Sequence, residues 1–141
     1  MNFGELIIEL HRNSLYELKK IAKKHDITIS QLLCIVSIPY DGIAQSSLSK
    51  KLSLDISTLS RNLEKLLKRK ILIKELHMTD KRMSKIYLTQ KGKNINLTVN
   101  TTLNHNLINF NNTFNEKEFQ NVLESLTQLN WFLMQNQLHD Q

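Results

Sequence analysis

Three observations predict a mainly α-helical chain with one short β-hairpin. Apolar residues recur at spacings of three and four over most of the 141 residues, which is the period of a helix. The clearest strict alternation is "MSKIYL" at 83–88, which is the period of a strand. One proline and three glycines leave few places where regular structure must stop. The length suits a single chain fold over 1–141, or one domain with a dimerisation extension.

Taken in order, Phe3, Leu6, Ile7, Leu10, Leu18 and Ile21 predict a first helix from about residue 2 to 24. In "TISQ", Thr28 is placed to cap and Gln31 to reach back, a capping box. The helix it opens carries Leu32, Leu33, Ile35 and Val36 and ends before Pro39, where "PYDG" is a turn. "QSSLSKKL" is a short helix with Leu48 and Leu52 on one side, and "SLD" turns the chain. Asp55 caps the next helix, which runs from Ile56 to about Arg69. Its apolar stripe is Ile56, Leu59, Leu63, Leu66 and Leu67. At about 100° per residue, Ser57, Thr58, Arg61, Lys65 and Lys68 share the opposite face. "ILIKEL" is a strand and "MSKIYL" its return. Thr89 caps a long helix, and Asn115 with Glu118 opens the last.

Residues 28–92 therefore form a helix-turn-helix followed by a two-stranded β-wing. The flanks, 1–25 and 93–141, are helices with broad apolar faces. In so short a chain those faces call for a second copy, so they are expected to be dimerisation helices of a homodimer.

Charge sharpens this organisation. The net charge is +6, and the 48 residues from Ser46 to Lys93 hold 13 Lys+Arg against 4 Asp+Glu, a net +9. The remainder holds 6 against 9, a net −3. A basic segment in an otherwise balanced chain points to a polyanion. No apolar run approaches the ~18 residues of a membrane span. The acidic N-terminus has no basic leader region, so a cytoplasmic location is expected, with no membrane partner. The single cysteine, Cys34, excludes an internal disulfide framework.

The helix from Ile56 has the chemistry of a DNA-recognition helix. Base edges lie deep in the major groove and phosphates flank it. Ser57 and Thr58 are short enough to approach, Arg61 can fork onto a guanine or reach a phosphate, and Lys65 and Lys68 lie where backbone contacts fall. The helix N-terminus itself favours an anion. At the hairpin tip, Arg82 can enter the electronegative minor groove beside Lys81. Asp80 can brace that arginine through a charge-assisted bond.

"SLSKKLSLDISTLSRNLEKLLKRKILIKELHMTDKRMSKIYLTQKG" resembles the winged helix of the MarR (multiple antibiotic resistance regulator) family. The resemblance lies in the "LD-ST-SR-LE-L" helix, the Asp-x-Arg wing at Asp80 and Arg82, and Leu-Thr-x-x-Gly at Leu88, Thr89 and Gly92. "ITISQLLCI" is similar to the family's second helix. The resemblance implies a homodimeric transcription regulator that binds a pseudopalindromic double-stranded DNA site. It implies groove contacts by Ser57, Thr58 and Arg61, a wing arginine at Arg82 and its anchor at Asp80. Repression by occluding an operator is the expected mode. The family also implies a small-molecule effector held between the dimerisation helices and the winged helix, of chemistry left open. Three positions depart from the family pattern: Lys70 stands where Gly is usual, Lys74 where Arg is common, and Ala44 where Ser or Thr caps.

Other chemistries find less support. The five histidines are scattered and no metal-ligand spacing occurs, so neither metal nor cofactor is expected. The serines have no nearby His or acid in a catalytic pattern, no phosphate-binding glycine loop is present, and no enzyme activity is expected. Met78 and Met83 are read as packing residues. Two alternatives stand beside the main reading: a winged helix used for protein interaction, and an oxidation-sensing regulator using Cys34. The +9 segment argues against the first, and the apolar neighbours Leu33 and Ile35 against the second.

Overall fold

The computed structural model describes residues 1–76 and 84–139, with side chains except at 106–111 and 138–139. The elements run α1 (Phe3–Lys24), α2 (Ile29–Ser37), β1 (Ile43–Ala44), α3 (Gln45–Leu52), α4 (Ile56–Lys68), β2 (Leu72–Glu75), β3 (Lys85–Leu88), α5 (Gln90–Asn111) and α6 (Glu116–His139). They divide into two compact units, residues 1–101 and a second beginning at Thr102.

Local chemistry fixes the helix starts. Thr28 accepts from the Gln31 amide at 3.1 Å while the Gln31 side chain accepts from the Thr28 amide at 3.1 Å, the reciprocal box expected there. Asn115 and Glu118 make the same exchange before α6, at 2.9 and 3.1 Å. A third box, Asn2 with Glu5, opens α1. Helix α3 has no side-chain cap, in keeping with Ala44 at that position. The backbone of Ala44 is held instead by the sheet.

Helix ends follow one rule without its usual residue. Asp26, Ser53 and Lys70 follow α1, α3 and α4 with φ of 53°, 51° and 55°. At each end two backbone bonds close the last turn, as Lys70 N–H donating to Leu67 O (2.9 Å) and Ile71 N–H to Leu66 O (3.0 Å) do after α4. This is the Schellman arrangement, which normally recruits glycine for its left-handed residue. Lys70, which stands where the family usually has Gly, thus takes the left-handed backbone itself.

In the first unit α2, α3 and α4 pack with the sheet around Leu32, Cys34, Ile35, Leu48, Leu59, Leu66, Ile71, Leu72 and Ile86, all fully buried. Polar bonds join the layers: Asn62 Nδ2 donates to Ser30 Oγ, and Gln45 Nε2 to Ser60 Oγ, each at 2.7 Å. Arg69 donates to the carbonyls of His25 and Asp26 and so ties the end of α4 to the end of α1.

The sheet has three antiparallel strands in the order β1-β3-β2, one more than the expected two-stranded wing. Ile43 pairs with Ile86 and Ala44 with Lys85. Two residues are too short to show a period-2 pattern, which is why β1 left no trace in the sequence. The hairpin register sets Leu72 opposite Leu88 and Glu75 opposite Lys85.

Thr89 and Gly92 join this sheet to α5. The Thr89 hydroxyl lies 2.8 Å from Lys70 O and 3.0 Å from Ile71 O, and accepts from the Gly92 amide at 3.2 Å. A Cβ on Gly92 would lie 2.4 Å from Ile71 O, so glycine is needed for the close approach. Gly42 has φ 76°, and a Cβ there would meet the Tyr87 ring.

Candidate nucleic-acid interface

Helix α4 buries Leu59, Leu63 and Leu66 and turns Ser57, Arg61, Lys65 and Lys68 outward, with Thr58 half-buried. The expected polar face is thus present as one surface. Ile56 departs from expectation: it is 62% exposed rather than part of the buried stripe. It stands in the first turn, one turn ahead of the first buried leucine.

Asp55 organises that first turn. One carboxylate oxygen accepts from the Thr58 amide at 2.8 Å and from the Ser57 hydroxyl, and the other accepts from the Thr58 hydroxyl at 2.6 Å. The Ser57 bond foremost, then those from Thr58, holds its carboxyl well below the usual carboxylate range. The positive end of α4 therefore already faces an anion belonging to the chain.

The cations differ from one another. Lys68 Nζ lies 2.9 Å from Glu64 Oε1, and this partner lowers the Glu64 carboxyl pKa. Arg61 and Lys65 have no ion pair among the described residues. At the flank of α4 an open cleft of about 750 Å³ is lined by Lys19, Lys23, Lys65, Lys68, Arg69 and Asp26 among others. Lys19 and Lys23 were missed because α1 lies outside the basic segment. Their spacing of four, one helical turn, was the available signal.

The wing residues Asp80, Lys81 and Arg82 lie outside the described residues, as do Met78 and Met83. The hairpin root is described: Lys85 Nζ donates to Asp41 O at 3.4 Å, and Lys74 is exposed. Cys34 is fully buried, and burial pushes its thiol up to about 11. A protonated, enclosed thiol is a poor nucleophile, so the structure argues against the oxidation-sensing alternative. Among the described residues no helix is long and apolar enough to cross a membrane, and no three potential ligands cluster for a metal.

No family model and no curated protein matches the sequence. Solved structures do match in fold. A MepR point mutant from a multidrug-resistant S. aureus clinical isolate superposes with a TM-score of 0.80 at 19% identity, over 94% of this chain and 98% of that one. Streptococcus pneumoniae FabT in complex with DNA gives 0.77 at 21% identity, over 94% and 95%. A MarR family transcription regulator gives 0.75 at 16% identity, over 94% and 88%. The chain has the winged helix-turn-helix fold of the MarR family regulators.

Proposed function

We propose that this chain is a homodimeric DNA-binding transcription regulator, a repressor that occludes a pseudopalindromic operator. The observation that carries the reading is the outer face of α4, where hydroxyls in the first turn precede Arg61, Lys65 and Lys68 on one exposed surface. Ser57, Thr58 and Arg61 would meet base edges, and Lys65 and Lys68 the phosphates. Lys81 and Arg82 would follow in the minor groove with Asp80 as brace. FabT bound to DNA, and MepR solved both with DNA and with ethidium bromide, support the partner class and a small-molecule effector.

In this reading residues 28–92 bind DNA, and 1–25 and 93–141 dimerise. Exposed apolar residues on α1 (Phe3, Leu6, Leu10) and on α6 (Leu123, Leu126, Leu133) support the second copy. A cytoplasmic location follows from the same role.

The test is a mobility-shift titration of the full chain against its own upstream DNA over a range of salt. Sequence-selective binding with a steep negative salt slope is expected. Equal affinity for random duplex, or no salt dependence, would remove the reading.

A further inference from the structure

We infer that Asp55 sets the hydrogen-bond polarity of the recognition surface, making Ser57 and Thr58 acceptor-only readers of exocyclic amino groups. The inference rests on the DNA-binding reading of α4 and adds what that surface selects. A hydroxyl has one proton and two lone pairs. A carboxylate has no proton to give, so both hydroxyl protons at Asp55 must point into it. The geometry assigns them there, the Ser57 hydroxyl to one oxygen and the Thr58 hydroxyl to the other at 2.6 Å. The Thr58 amide bond at 2.8 Å fixes the carboxylate, so it cannot turn away without uncapping α4.

What remains to face the groove is lone pairs. In the major groove the donors are adenine N6 and cytosine N4, while guanine and thymine offer O6, N7 and O4 as acceptors. An unconstrained Ser or Thr accepts either kind, because its proton can rotate. Here the choice is made before DNA arrives. Asp55 is therefore a positioning residue for specificity, acting through two hydroxyls.

Asp55→Asn separates this from a purely structural cap. The amide oxygen can keep the bonds from the Thr58 N–H and the Ser57 hydroxyl. The amide nitrogen then replaces the oxygen facing the Thr58 hydroxyl and must donate to it. That frees the Thr58 proton to point outward, so one hydroxyl changes polarity while the cap persists.

The experiment selects bound duplexes from a randomised pool, using the full-length wild type, Asp55→Asn and Thr58→Val, with thermal melts to check folding. Thr58→Val identifies the contacted position as the one where discrimination falls, by about fivefold for one lost hydrogen bond. Each base pair carries its amino group and its carbonyl on opposite strands, so that pair is then tested by removing the amino group, with purine for adenine or pyrimidin-2-one for cytosine. The wild type is expected to lose about fivefold in affinity, Thr58→Val to lose less, and Asp55→Asn to lose that preference for the amino group. Wild-type affinity unchanged by removal of that amino group would overturn the inference, even if Asp55→Asn did not fold. So would a folded Asp55→Asn with unchanged preference, or a Thr58→Val selection identical to wild type. A wild type that enriches no sequence would instead remove the DNA-binding reading itself, and this inference with it.

Discussion

Lys70 shows how one residue type can stand against local backbone preference and still keep the helix end. Its φ of 55° costs about 1–2 kcal/mol for a side chain bearing a Cβ. A glycine there would remove that cost and lose roughly 0.5–1 kcal/mol to the entropy of the unfolded chain. Lys70→Gly is expected to stabilise the protein by about 0.5–1 kcal/mol, read as a higher urea midpoint at unchanged slope. Asp55 gives a pH prediction. Its folded pKa lies below its unfolded one, so its contribution to stability is full above the usual carboxylate range. That contribution is lost as the pH falls through the depressed folded value. Asp55→Asn should flatten the acid limb of a stability–pH curve relative to wild type. Both residues were legible in part. The sequence marked Asp55 as a cap and Lys70 as standing in a glycine position. It could not show where the Ser57 and Thr58 protons go, because that depends on two short distances rather than on spacing.

At the scale of the element, α4 and the sheet root divide the work. Glu64 pairs with Lys68, both exposed, and would compete with a polyanion for that charge. Glu64→Gln should tighten DNA binding about twofold to fivefold at low salt, an advantage that shrinks as salt rises. Titration at two ionic strengths checks it. Gly92→Ala should destabilise, because its Cβ would press on the Ile71 carbonyl oxygen, a backbone atom with little room to move. A loss of about 1–3 kcal/mol is expected in chemical denaturation. The helices were readable because their caps and stripes are local patterns. Strand β1 was not, since a pairing such as Ile43 with Ile86 joins residues 43 apart in the chain. Ile56 misled for a related reason: periodicity reports a face, and burial needs a neighbour to cover it.

For the molecule as a whole, the apolar surface is the main unsatisfied quantity. Trp131 is 63% exposed, and Phe132 and Met134 stand out on α6 beside it. Burying such side chains is worth about 25 cal/mol per Å² of apolar area, which favours association. Sedimentation of the full chain is expected to give twice the mass of 16.5 kDa. Leu126→Glu should shift it toward the single chain and weaken operator binding in step, since a pseudopalindrome needs two copies. The apolar stripes of α1 and α6, on which the proposed second copy rests, were readable from the sequence. The cleft that brings Lys19 and Lys23 beside α4 was not readable, because it forms only when separate helices pack.

The join at Thr89 and Gly92 also governs which changes of length the chain tolerates. Residues added in matched pairs beyond Glu75 and Lys85 lengthen the hairpin without altering the pairing of Leu72 with Leu88 at its root. One residue inserted between Leu88 and Gly92 would turn α5 by about 100° against the sheet and remove glycine from the one point of backbone contact. Matched pairs are thus expected to leave the root's register unchanged, while the four steps from Leu88 to Gly92 are held to a fixed count.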